Sequence, residues 1–515
     1  MPSSNVQNFN VIFYSSTLTT IWHHRNHIFT ESPSLQGQLS HIKSNSKVCS
    51  CFVSKSLIRK KMEVEIIARE TIKPSSPTPQ SLRKFKLSLI DQLTPPVYGS
   101  LLYFYSFNGD TNRHVSVSER SQQLKKSFSD TLALFYPFAG RTVDNIMIDC
   151  SDYGALFIEA RVDCPLSRFL RQPNGDELKR FIPTQVESTE ASTGFFSLVQ
   201  ASFFDCGGVA IGVCISHKLA DGTTLGTFVR CWAAVTVLGS DRAEMVPIYN
   251  AAALFPPRKF PEAVPPLVDI AEERFSVKRF VFDASRVAAL KAAAASASVE
   301  RPSRAEAVTA LLWKCALNAA RSNSGSKRPS LLTRPVNIRR RISPPLPDSS
   351  VGNLVGFYMA EKDDIGEVEI KGLVRELRER IQVFDKNYVK MLQKEDGFEQ
   401  VTDYFKEAAS QMMRQDVEFY ICTSLCNGSM YDHVDFGWGK PVWVTIPSAN
   451  NKNVMELIDT RKGDGSVEAW VVLSKDDMYL FERDPELLAF ASSNPSILEE
   501  DTDTTRHSLW INSSI

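Results

Sequence analysis

The run Val209-Ala-Ile-Gly-Val-Cys-Ile-Ser216 is short, apolar and partly β-branched, which predicts a buried strand. Alternation along that strand puts His217 on the face of Ile211, Val213 and Ile215, with Cys214 on the other. Gly222 lets the backbone turn, and a helix is expected through Thr223-Thr-Leu-Gly-Thr-Phe-Val-Arg-Cys-Trp232. An imidazole is thus presented where a strand opens into a loop, with Asp221 just beyond it to pair with a basic group.

The same patterning predicts strands at Val64–Ile67, Leu101–Tyr105 and Lys278–Phe282, and a late strand at Ala469–Leu473 that is apolar on both faces. Apolar positions from Arg120 to Leu134 recur at helical spacing. Asn145–Cys150 and Leu156–Ala160 read as a hairpin about Asp152-Tyr-Gly154. Asp283 and Ser285 are candidate caps for an Ala-rich helix through Ala295, and Ser303 with Glu306 forms a capping box ahead of Ala307–Cys315. Ala251–Pro266 holds five prolines without a regular period, the expected crossover between two domains.

Composition narrows the function classes. The chain has 515 residues, enough for a large core, and its 59 basic and 59 acidic residues balance, so a nucleic-acid partner is not expected. Ten scattered cysteines without a Cys-x-x-Cys pair suggest reduced, buried thiols, and no apolar run reaches the length of a membrane span. Residues 1–61 carry seven Lys or Arg against Glu31 alone, with much Ser and Asn. They are expected to be a disordered extension or leader, a plastid transit peptide being the other reading of that composition. The acidic stretch from 499 to 515 is expected to be a mobile tail.

A neutral imidazole at a strand end suits general-base chemistry, because it takes and returns a proton near neutral pH. A Cys214–His217 dyad is disfavoured because the two side chains point to opposite faces. A metal site at His217 and Asp221 lacks further ligands nearby. A second signal stands far away: in Asp435-Phe-Gly-Trp-Gly439 the glycines flanking Trp438 fit a tight, irregular loop.

Together, His217-Lys-Leu-Ala-Asp-Gly222 and Asp435–Gly439 resemble the paired signatures of the plant BAHD acyl-CoA-dependent acyltransferases. Ser75–Pro79, Phe135–Arg141, Val336–Arg341 and Gly352-Asn353 are similar to the same family. The likeness runs from about Met62 to Leu498 and is nearest the branch that holds vinorine synthase and other alkaloid O-acetyltransferases. It implies an α/β, two-domain chloramphenicol-acetyltransferase-like fold, each domain a mixed sheet flanked by helices, with a channel at the interface. The N-terminal domain would span 62–250, the crossover 251–270 and the C-terminal domain 271–498.

The resemblance implies an O-acyltransferase in which His217 is the base and no cofactor is permanently bound. Acyl-CoA, acetyl-CoA above all, is the co-substrate, and a hydroxyl of an alkaloid or terpenoid alcohol is the acceptor. A larger donor (benzoyl-, malonyl- or hydroxycinnamoyl-CoA), an amine acceptor, or a catalytically silent binding protein are the alternatives. Asp221 would pair with Arg339 rather than orient the histidine, and Gly222 would relieve the backbone. Asp435, Gly437, Trp438 and Gly439 would form a structural loop near the coenzyme path, with Trp438 also a candidate for steadying the oxyanion. Ser303, Arg304, Thr423 and Ser424 would border coenzyme A, and Lys440 is a candidate phosphate contact. No metal, nucleic-acid or membrane partner is implied, and a cytoplasmic monomer is expected. Ser216 replaces the first of the two consecutive histidines of peptide-synthetase condensation domains, which favours a free coenzyme A thioester over a tethered one.

Overall fold

Sixteen strands are found among the described residues of a computed structural model. These are residues 62–498 without 108–115, 189, 240–245, 260–274, 364–367, 429, 448–450 and scattered positions between 386 and 415. The expected leader (1–61) and acidic tail (499–515) lie outside the described residues, as does most of the crossover. In chain order the strands are β1 (Val64–Ile72), β2 (Lys84–Lys86), β3 (Tyr98–Tyr105), β4 (Arg141–Asp144), β5 (Met147–Asp149), β6 (Ala155–Val162), β7 (Ser197–Phe204) and β8 (Val209–Ser216). The second half adds β9 (Phe275–Phe282), β10 (Ser330–Asn337), β11 (Val355–Lys362), β12 (Glu418–Ser424), β13 (Trp443–Thr445), β14 (Val454–Asp459), β15 (Val467–Ser474) and β16 (Ser492–Ser493).

Two mixed sheets organise the molecule, one of order β1-β6-β7-β8-β3-β13 and one of order β11-β10-β12-β14-β15-β9-β16. Strand β13 comes from the second half of the chain but pairs antiparallel with β3, Trp443 opposite Phe104, so it completes the first sheet. Strands β7 and β8 are buried along their whole length, as apolar sequences between two covered faces must be. On one face of β8, Ile211, Val213 and Ile215 join Leu124, Phe128, Phe228 and Trp232 of the helices Val117–Leu134 and Gly222–Leu238. On the other face, Ala210 and Cys214 meet Phe104, Phe181 and Trp443.

Local signals set the helix ends. Asp221 caps the helix Gly222–Leu238 through its Oδ1, which accepts from the Thr224 amide at 2.8 Å. The Ser303/Glu306 capping box starts the helix Arg304–Ser324, and left-handed Gly325 ends it. Asp283 caps Ala284–Ala294 by accepting from the Arg286 amide, while the Ser285 hydroxyl donates to its carboxylate.

One expectation is corrected. The segments around Asp152 do not form a hairpin: β5 pairs with β2 and β4 in a small separate sheet, whereas β6 pairs with β1 and β7. Asp152, at φ 57°, holds the Thr78 amide and hydroxyl at 3.0 and 2.6 Å, which turns the connection toward the 75–79 loop. The start of the proline-rich crossover is ordered. Ala251–Leu254 makes a helical turn, and Phe255 behind it is buried with its carbonyl on the Leu89 amide.

Candidate active site

Strand β8 ends at Ser216, and four bonds fix the loop that follows. The Ser216 hydroxyl donates to the Ala191 carbonyl at 2.5 Å, and the His217 amide donates to the Val97 carbonyl at 2.8 Å. The half-buried Lys218 ammonium donates to the Gln92 carbonyl at 2.9 Å and to Asn145 Oδ1 at 3.2 Å. Burial pushes that ammonium down to about 8, with Asp91 opposing. His217 therefore stands at a strand end with its main chain held on both sides.

Asp221 does not touch the imidazole. Its Oδ2 takes Arg339 Nη1 at 2.6 Å and its Oδ1 takes Nη2 at 3.1 Å, a two-point pair in which both side chains are buried. Arg339 also donates to the carbonyls of Ser350 and Gly352 and to the Thr224 hydroxyl, and the Leu354 amide donates to Asp221 Oδ2. Burial would raise the Asp221 carboxyl, but the guanidinium and these donors bring it below the ordinary carboxylate value. The pair thus ties the loop after His217 to the 339–354 segment of the second half.

The side chain that faces the imidazole is Asn353. Its Oδ1 lies 3.4 Å from His217 Nδ1, and its Nδ2 lies 2.8 Å from Asp91 Oδ1 and 2.6 Å from the His217 carbonyl. A carboxylate and a carbonyl accept only, so Nδ2 must point at them and Oδ1 must point at the ring. Nδ1 then donates, and the lone pair lies on Nε2. That edge faces Gly99, where a methyl group would stand 3.6 Å from Nε2. Burial lowers the His217 pKa below 6.5, opposed by the Asn353 bond and the Asp221 charge, so the neutral form prevails at pH 7. Gly352, at φ 125°, makes the turn that aims Asn353, and a side chain there would meet Ala251 at 2.9 Å.

Cys214 is excluded as a nucleophile for this imidazole. It lies in the core on the opposite face of β8, 3.1 Å from the Ser100 hydroxyl, and burial pushes its thiol up to about 12.

The other sequence candidates fall in two places. Gly222 faces Leu425, whose Cδ2 would lie 2.6 Å from an added Cβ, so the segment leaving Thr423 and Ser424 of β12 reaches the histidine loop. Ser303 caps its helix, and Arg304 is held by Asp459 at 2.9 Å and by Asn427 at 2.6 Å, which brings it to the same segment. The Asp435–Gly439 loop is elsewhere. Asp435 Oδ1 accepts from the amides of Gly437, Trp438 and Gly439 at 2.7 to 3.0 Å, with both glycines at positive φ. Trp438 packs against Tyr105 and Phe436, with the Arg120 guanidinium 5.6 Å over its ring, and Lys440 is exposed. Tyr105 pairs with Val209 at one end of β8, and Tyr98 pairs with Ser216 at the other. At ~3.4 Å per residue, the end of β3 that meets Trp438 is on the order of 20 Å from the end beside His217.

The family likeness of Gly352-Asn353 assigns Asn353 no role, and the sequence around Asp91 does not mark it as part of a site. The Ser88-x-x-Asp91 spacing was visible, but it reads as a helix start, which it also is.

Two helix-covered mixed sheets with a histidine at a strand end make the two-domain chloramphenicol-acetyltransferase-like arrangement, the one found in vinorine synthase. The crystal structure of that enzyme matches with a TM-score of 0.70 at 33% identity, over 84% of this chain and 99% of the other. Residues 62–488 match the family described as Transferase family. An epi-neemfruitin B 7-O-acetyltransferase of Melia azedarach is 40% identical over 455 residues, 84% of this chain and 100% of that one. A limonoid 7-O-acetyltransferase of Citrus sinensis is 39% identical over 462 residues, 84% of this chain and 99% of that one. The chain belongs to this family, the BAHD acyltransferases, and is an acyltransferase with an acyl-CoA as co-substrate.

Proposed function

We propose that this enzyme transfers an acetyl group from acetyl-CoA to a hydroxyl of an alkaloid or terpenoid alcohol, in a ternary complex and without a covalent intermediate. The observation that carries the reading is the locked imidazole: Nδ1 is committed to Asn353, so Nε2 is the single basic nitrogen and it lies on the Gly99 side. Nε2 takes the proton of the acceptor hydroxyl as its oxygen bonds to the thioester carbonyl carbon. The tetrahedral species collapses, the carbon–sulfur bond breaks, and the proton on Nε2 passes to the departing thiolate. Ser303, Arg304, Thr423 and Ser424 border the coenzyme in this reading. The acetyl donor and the alcohol class are supported by the names of two relatives, a 7-O-acetyltransferase of epi-neemfruitin B and a limonoid 7-O-acetyltransferase.

The test is thiol release from acetyl-CoA by the purified chain with a panel of alkaloid and terpenoid alcohols, with products weighed by mass spectrometry. Acetylated product that vanishes in His217→Ala supports the reading. Equal product from the native chain and His217→Ala overturns it.

A further inference from the structure

We propose that Asp91 is a positioning residue for the reaction: acting through Asn353, it selects the His217 tautomer that carries its proton on Nδ1 and leaves Nε2 as the base. This rests on the reading of His217 given above.

Asp91 lies in the short helix Leu89–Leu93 and is 2% exposed. Its Oδ2 accepts from the Ser88 amide and hydroxyl at 2.8 and 2.7 Å, which fixes the carboxylate plane. Its Oδ1 accepts from both the main-chain amide and the Nδ2 of Asn353, each at 2.8 Å. The carboxylate thus holds Asn353 at two points. An amide turned over would set Oδ1 against Asp91 Oδ1 and the His217 carbonyl, two acceptors and no donor, inside a site where Asn353 is fully buried. Asp91 supplies the side-chain half of that opposition, its two oxygens accepting from four donors against the burial that raises its carboxyl above the ordinary value. Without it, the turned amide presents N–H to Nδ1, which then must accept, and the proton moves to Nε2, the tautomer free imidazole prefers. That form has no lone pair on the Gly99 side.

The helix is pinned on the other flank too. Lys218, the residue after the histidine, donates to the Gln92 carbonyl at 2.9 Å. Asp91 and its neighbour therefore grip the residues on both sides of the imidazole, one through the second half of the chain and one directly.

The test is 15N spectroscopy of histidine-labelled protein, with the His217 signals assigned by their loss in His217→Ala. In the native protein His217 is expected to show a protonated Nδ1 and a pyridine-type Nε2. A native Nε2–H tautomer overturns the proposal before any variant at Asp91 is made. Asp91→Asn, which keeps the volume and lets its own amide face Asn353, is expected to shift His217 toward Nε2–H. The same change should lower kcat by about tenfold or more, within the range general-base catalysis supplies, with KM for acetyl-CoA unchanged. An unchanged tautomer in folded Asp91→Asn overturns the role of Asp91, whereas acyl transfer that survives His217→Ala overturns the reading beneath it.

Discussion

His217 is held below its ordinary pKa by burial, and the sign of that shift decides how activity follows pH. The neutral ring is the active form, so lowering its pKa keeps the base competent into more acidic solution. The acid limb of kcat/KM should therefore have its midpoint below 6.5, with a plateau through neutrality. A midpoint at or above that value would place a different group in control. Asp221 and Arg339 test another residue-scale point, because a buried pair is costly to break from one side. Arg339→Met strands a carboxylate that is 3% exposed and should cost about 3–5 kcal/mol in urea denaturation. Adding Asp221→Asn should restore part of that loss, since no buried charge is then left alone. A double variant as unstable as the sum of the two singles would remove the pair as the brace of the loop. Asp221→Ala should lose activity through misplacement of His217, and a variant with native folding and native His217 geometry but no activity would contradict that.

At the scale of the element, the loop at Asp435 is a self-contained turn, its carboxylate oxygen shared by three amides. Asp435→Ala should cost about 1–2 kcal/mol, because exposed amides regain water but lose a charged acceptor. Its kcat/KM in the folded state should stay near native, since the loop sits at the opposite end of β3 from the histidine. A large loss of kcat with stability intact would put the loop in the reaction. The strand before His217, the helix after Asp221 and the Ser303 capping box were legible because each is written in neighbouring residues. The histidine's own partner was not. Asp91 and Asn353 are 262 positions apart, and nothing local in either marks the meeting. The hairpin expected about Asp152 fails for the same reason, since the two strands are adjacent in sequence but β6 pairs with the distant β1 and β7 and β5 with β2 and β4. Even the Asp221–Arg339 pair came from family likeness, not from spacing.

Across the whole molecule, one strand makes the two sheets interdependent. Strand β13 follows β12 of the second sheet in sequence and closes the first, and its side chains reach back to β15. Glu468 on β15 accepts from Trp443 and Thr445 of β13 at 3.0 and 2.8 Å, from Trp470 at 3.0 Å, and pairs with Arg279 of β9 at 2.8 Å. Both charged groups are buried, so their value lies in being complete: removing one leaves the other without compensation. Glu468→Gln keeps the shape but withdraws the charge that balances Arg279, and a cost of about 3–5 kcal/mol is expected. The indoles of Trp443 and Trp470 report on this joint because both donate to Glu468. In the native chain, indole fluorescence and far-UV circular dichroism should lose their signals together on denaturation. In Glu468→Gln the indole signal should fall at lower denaturant than the far-UV signal, as β13 parts from β15 before either sheet melts. Acyl transfer should fall with the indole signal, because the Arg339 brace and Asn353 reach His217 from the second half. Coincident curves at the native midpoint would show that the sheets are joined by something other than this carboxylate.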